Sequence, residues 1–203
     1  MEENIHNNVD YPEPIHKINE WSFNFKYEFY KQVECLLSSG IIIDYISAKL
    51  IKLNKLALIS TRPPVELNII NSPLFVHDKS YSFAFFSSNK PVLWADSFDE
   101  DKFYELKCKK MDIFGFTSAI SLYAVNKDQI ISISFATQRK EENINDYYLG
   151  NIKYLYKIAS FVERITFPMF CEIFSTKLNS SHFSSATNNL NINSKVFLAV
   201  NNA

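Results

Sequence analysis

Phe116-Thr-Ser-Ala-Ile-Ser-Leu-Tyr-Ala-Val125, the turn Asn126-Lys-Asp-Gln129 and the returning run Ile130-Ile-Ser-Ile-Ser-Phe-Ala136 decide the fold. Phe116, Ser118, Ile120, Leu122 and Ala124 fall on one face of an extended segment, because successive strand side chains point to opposite sides. After the turn, Ile131, Ile133 and Phe135 alternate with Ser132, Ser134 and Ala136, which predicts a second strand running antiparallel to the first. Beyond it, Tyr148, Ile152, Leu155, Ala159, Val162 and Thr166 recur at helical spacing, so a long amphipathic helix is expected to lie across one sheet face and to end before Pro168.

The N-terminal side is read in the same way. Ser97-Phe-Asp-Glu100 spells a capping box, in which Ser and Glu side chains satisfy two orphan amides, and predicts a helix starting there. Asp99, Glu100 and Asp101 in its first turn and Lys107, Lys109 and Lys110 in its last complement the helix dipole, which makes the lysines a solvated helix end rather than a nucleic-acid patch. Trp21 to Leu37 has helical spacing and closes near Gly40. Ile42, Ile46, Leu50 and Leu53 predict a second helix, Leu56 to Ser60 a short strand, and Arg62-Pro63-Pro64 a break. The expected order is helix, helix, strand, broken segment, helix, strand, strand, long helix. That is an α/β protein, specifically an α/β/α sandwich with a central antiparallel sheet flanked by helices. Residues 1–20 read as an N-terminal arm, 21–174 as one domain, and the Ser/Asn-rich 175–203 as a tail.

Composition narrows the function. With 47% hydrophobic and 21% charged residues the chain is globular, and its net charge of −1 offers no pull toward nucleic acid. Phe, Tyr and Trp make up 15% of the residues, enough to fill a large core or to line an apolar ligand chamber. Cys35, Cys108 and Cys171 form no C-x-x-C pair, which points to reduced thiols in a cytoplasm and to neither a disulfide framework nor a metal site. No apolar run reaches the ~20 residues of a membrane span, and no basic, then apolar, leader is visible. Three glycines cannot build a phosphate loop, so no cofactor is expected. Lysines flank Cys108, but no motif places His6, His16, His77 or His182 beside it, and an enzyme ranks last among the readings.

Asn89-Lys-Pro-Val-Leu-Trp94, the capped helix after it, Ile113-Phe-Gly-Phe116 and Ile133-Ser-Phe-Ala136 as a set resemble the autoinducer-binding domain of LuxR-type quorum-sensing regulators, over about residues 75–167. The resemblance implies a sensor that encloses an acyl-homoserine lactone between sheet and helices. It gives Asp78 the part of accepting the ligand amide N–H, Ser134 that of the sheet hydroxyl donating to the amide carbonyl, and Trp94 that of an aromatic wall. Thr61 falls where the family has a Tyr, and Val65 where it has a Trp that holds the lactone carbonyl; Lys79 replaces a Pro.

Each position also has a plain structural reading: Asp78 as a helix cap, Trp94 as core filler, Ser134 as a hydroxyl bonded to neighbouring backbone. Tyr81, Phe83, Phe85 and Phe86 fit an acyl pocket or plain core. The family continues into a helix-turn-helix, for which Ser194 to Ala203 leaves no room, so direct DNA binding by this chain is not expected. The partners implied are a small-molecule autoinducer and a second copy or a regulator; the competing reading is a ligand-free interaction or dimerisation module, or a truncated remnant.

Overall fold

The computed structural model describes residues 11–37, 42–88, 90–126 and 129–175. The sheet order is β1-β3-β2-β6-β5-β4. Its strands are β1 (Glu13–Pro14), β2 (Tyr45–Lys52), β3 (Lys55–Ser60), β4 (Val92–Leu93), β5 (Ser118–Asn126) and β6 (Gln129–Thr137). All neighbours pair antiparallel except β1, which runs parallel to β3. The expected sandwich is present with that one departure: Glu13 and Pro14, read as part of an arm, extend the sheet.

One face of the sheet is apolar. Ile46, Ala48 and Leu50 of β2, Ala57 and Ile59 of β3, Ile120, Leu122 and Ala124 of β5, and Ile131, Ile133 and Phe135 of β6 join one core. It is covered by α2 (Lys26–Leu37) through Phe29, Val33 and Leu36, and by α8 (Ile152–Phe174) through Leu155, Ala159, Val162 and Phe170, with Tyr148 of α7 (Ile144–Gly150) beside them. The β5–β6 hairpin pairs as its alternation predicts, Leu122 opposite Ile133 and Ala124 opposite Ile131. Phe116, expected on the same face as Ile120, lies ahead of β5 and packs in the opposite core.

The opposite face carries α3 (Pro64–Ile70), α4 (Phe83–Ser88), α5 (Trp94–Ser97) and α6 (Phe103–Lys110), with short 3₁₀ turns over Pro73–His77 and Lys79–Tyr81 between α3 and α4. α1 (Ile18–Asn24) packs along β3, and the buried Ser22 hydroxyl donates to the Leu58 carbonyl.

Several local expectations change. The segment around Ile42, Ile46 and Leu50 is strand, not helix: a spacing of four also satisfies period two, and intervening Tyr45, Ser47 and Lys49 are buried on the other face. Leu53, counted with that helix, instead forms the β2–β3 turn with Asn54, both at positive φ (49° and 59°). Arg62-Pro63-Pro64 does not interrupt structure for long, because Pro64 opens α3, where its missing N–H would have no partner anyway. Ser97 does not cap the following helix; its hydroxyl is engaged by Asp78 and by the Trp94 carbonyl, and α6 starts only at Phe103 after a 3₁₀ turn. Finally, α8 runs through Pro168 to Phe174, because Met169 and Phe170 beyond the proline are buried in the first core. Gly40 and residues 176–203 of the Ser/Asn-rich tail lie outside the described residues.

Candidate functional site

Two rows of residues cross the second sheet face in register. Ser60, Ser47, Ser134 and Ser121 stand side by side on β3, β2, β6 and β5, and the adjacent row is Leu58, Lys49, Ser132 and Tyr123. A serine row in the middle of a sheet is unusual, since β-branched and aromatic residues pack better there. Its hydroxyls are put to use: Trp94, at the start of α5, donates its indole N–H to Ser121 Oγ at 3.0 Å, and Ser121 and Ser134 share a hydrogen bond of 2.8 Å.

The helices above bring charge to this face. Glu66 of α3 accepts from Tyr45 at 3.1 Å, from Ser47 at 3.0 Å and from Tyr81. Lys49 Nζ lies 3.9 Å and Lys110 Nζ 3.8 Å from Glu66 Oε2. Asp78 accepts three bonds: Lys110 at 2.6 Å, Ser97 at 3.0 Å and the Ser80 amide at 3.0 Å. Lys110 also donates to Ser80 Oγ at 3.2 Å and sits 4.1 Å from the Trp94 ring centre. Tyr123 donates to the Ser80 carbonyl at 3.0 Å. Glu66, Asp78 and Lys110 are fully buried and Lys49 is 2% exposed, so four charges share one solvent-free layer.

Their protonation follows from the surroundings. Burial works against the Glu66 carboxylate, but the Lys49 and Lys110 ammonium groups and the Tyr81 and Ser47 hydroxyls hold it down to about 2. Burial lowers Lys49 to about 8 despite the attraction of Glu66, with Lys110 pushing the same way. Tyr45 and Tyr81 are raised well above the usual phenol range by burial and then by the Glu66 charge, so both stay donors. Two ammonium groups against two carboxylates leave the layer neutral.

The sequence-derived residues meet this geometry unevenly. Asp78, Trp94 and Ser134, from a turn, α5 and β6, are brought together: Asp78 and Trp94 are joined through Ser97, and Trp94 and Ser134 through Ser121. Asp78 also accepts from the Ser80 amide, as a capping carboxylate does. Thr61 is spent elsewhere, its hydroxyl bonded to both the N–H and the carbonyl of Ile46. Val65 is fully buried in the second core, with Tyr81 and Phe86, while Phe83 and Phe85 pack at its margin. Lys49, Glu66 and Lys110 were not anticipated. Lys49 carried a signal, since a lysine flanked by Ile46, Ala48, Leu50 and Ile51 in a strand has its neighbours buried on both sides. Lys110, read as a solvated helix end, is instead buried.

Cys108 is exposed on α6, and His77 is bonded to Asp99 at 3.0 Å. Among the described residues no group of three His, Cys, Asp or Glu is placed to hold a metal ion, and no helix is long and apolar enough to cross a membrane.

No family model matches the sequence, and no curated protein does. Solved structures similar to the chain include the VqsR LBD domain from Pseudomonas aeruginosa, at 11% identity and TM-score 0.47, covering 69% of this chain and 90% of that one. CepR2 from Burkholderia cenocepacia, an N-acylhomoserine-lactone-dependent LuxR-family transcription factor, matches at 10% identity and TM-score 0.42 over 73% of this chain and 94% of its own. Escherichia coli SdiA matches at 14% identity and TM-score 0.46 over 92% and 78%.

Proposed function

We propose that the chain is a small-molecule signal-binding domain, of the kind that serves acyl-homoserine-lactone-type regulators, and that it works by sensing rather than by catalysis. The observation that carries this reading is the convergence of Asp78, Trp94 and Ser134 on one buried, hydrogen-bonded layer between the sheet and the α3–α6 side. Four buried charges are costly for a purely structural core, and their gathering in one layer supports the reading of this layer as the ligand site. The lining also bears on the ligand. Lys49, Glu66 and Lys110 give the layer a polar, charged character, so the reading favours a compact, polar signal, with a second copy or a regulator as the downstream partner.

A ligand-free interaction module is the second reading, favoured by the Lys110 ammonium, which already occupies the Asp78 carboxylate. Thermal unfolding with acyl-homoserine lactones of graded chain length separates the two. A ligand at about 100 times its dissociation constant stabilises the folded state by about 2.7 kcal/mol. A rise in melting temperature with the shortest chains, abolished in Asp78→Asn, is expected; no rise with any of them favours the module.

A further inference from the structure

Lys49 and Ser132 face each other across β2 and β6. Among the described residues, Lys49 Nζ and Ser132 Oγ are the buried side-chain polar atoms without a hydrogen-bond partner. Their neighbours are committed: Glu66 to Tyr45, Ser47 and Tyr81, Asp78 to Lys110, Ser97 and the Ser80 amide, and Tyr123, beside Ser132 on β5, to the Ser80 carbonyl. The Lys49 ammonium lies 3.9 Å from Glu66 Oε2 and 4.1 Å from the Tyr81 ring centre, attracted by both and hydrogen-bonded to neither.

Buried polar atoms without partners are rare in folded proteins, and two directly opposite one another call for a common explanation. The pair has a surplus of donors, since an ammonium offers three N–H and a serine one O–H. What it lacks is an acceptor. Charge selects the kind of acceptor: Lys49 and Lys110 already balance Glu66 and Asp78, and an added anion would leave a net charge in a layer sealed from water. A carbonyl oxygen is uncharged and has two lone pairs, one for each donor.

We propose that Lys49 and Ser132 form a carbonyl-binding subsite, which takes one uncharged ketone, ester, lactone or amide oxygen of a compact ligand. This rests on the signal-binding reading above and deepens it. Ser132 lies two residues before Ser134 on β6, about 7 Å along the strand. The ligand class is therefore a small molecule with two acceptor groups at about that separation, one for the Ser121–Ser134–Trp94 end and one for Lys49 and Ser132.

The test uses the full chain labelled with ¹³C at the lysine ε carbons, with the Lys49 resonance assigned by Lys49→Met. γ-Butyrolactone and cyclopentanone serve as neutral carbonyl probes, with tetrahydrofuran and acetate as comparators, all at tens of millimolar. Saturable displacement of the Lys49 signal by the two carbonyl compounds is expected, weakened about two- to tenfold in Ser132→Ala. That variant removes a buried hydroxyl that closes no hydrogen bond but stands near the Tyr123 phenol, so its melting temperature is measured alongside to show that the fold is kept. A Lys49 signal unmoved by either carbonyl probe, moved more by acetate, or moved equally in Ser132→Ala overturns the subsite. If Lys49 is silent while the lactone series raises the melting temperature, the signal-binding reading stands and only the subsite falls; silence in both experiments removes both.

Discussion

The Lys110 ammonium rests 2.6 Å from the Asp78 carboxylate, and neither side chain touches solvent. The pair ties the end of α6 to the turn between the two 3₁₀ segments. Buried pairs are weakly stabilising against an apolar replacement, but losing one partner strands the other charge. Lys110→Met is expected to lower the unfolding free energy by about 3–5 kcal/mol, read from the urea midpoint. Lys110→Met combined with Asp78→Leu should recover much of that loss.

Stability should rise with pH across two separate windows. Glu66 is held at about 2 against an ordinary 4.5, so between those values the unfolded chain binds more protons and acid removes the stability that Glu66 contributes. The amount is on the order of 3 kcal/mol. Lys49 sits at about 8 against 10.5, so here too the unfolded chain binds more protons, and its burial penalty is relieved as pH climbs through that range. Tyr45 and Tyr81, raised above 10.0, act in the opposite sense at the alkaline end and bring stability down again. Urea midpoints measured along this scale should flatten in the acid window for Glu66→Gln, which should also be less stable at neutral pH.

Pro168 lies inside α8, where it has no N–H to give to the Arg164 carbonyl and its ring crowds that group. Pro168→Ala should stabilise the protein by about 1–3 kcal/mol, visible as a higher melting temperature. A loss of stability instead would mean that the local helix geometry depends on the proline ring.

Leu53 and Asn54 both occupy left-handed backbone conformations in the two-residue β2–β3 turn, and the Leu53 side chain is 76% exposed. A two-residue hairpin of this kind favours an Asn-Gly pair. The double substitution Leu53→Asn with Asn54→Gly should gain about 1 kcal/mol without touching either core, checked by the same melting experiment.

The sequence was legible where one periodicity had no rival. In β5 and β6 strict alternation gave the antiparallel pairing and, apart from Phe116, the faces; the helical stripe from Ile152 to Thr166 is α8, but Tyr148, counted with it, belongs to the separate α7, and α8 ends later than expected. Periodicity misled at β2, because Ile42, Ile46 and Leu50 obey both a helical and a strand period, and the residues between them are buried as well. At the site, Asp78, Trp94 and Ser134 were named by the family resemblance, while local reasoning gave them only the roles of helix cap, core filler and strand hydroxyl; the structure joins the three through Ser97 and Ser121. Both routes missed Lys49, Glu66 and Lys110, because each is explained only by a partner distant in sequence: Lys49 and Glu66 meet across β2 and α3, and Lys110 reaches back to Asp78. Ser97 was misread for the same reason, its hydroxyl being drawn to Asp78 instead of to the helix it precedes.

The outermost strands are both two residues long, β1 on β3 and β4 on β5. Pro14 in β1 has no amide hydrogen to offer, and Glu13 beside it carries an exposed charge paired with Lys55. A foreign strand arriving over β1 or β4 therefore meets only a brief, poorly templated ladder, which disfavours edge-to-edge pairing at those two places. This chain should thus tolerate high concentration in the folded state without edge-to-edge growth over β1 or β4.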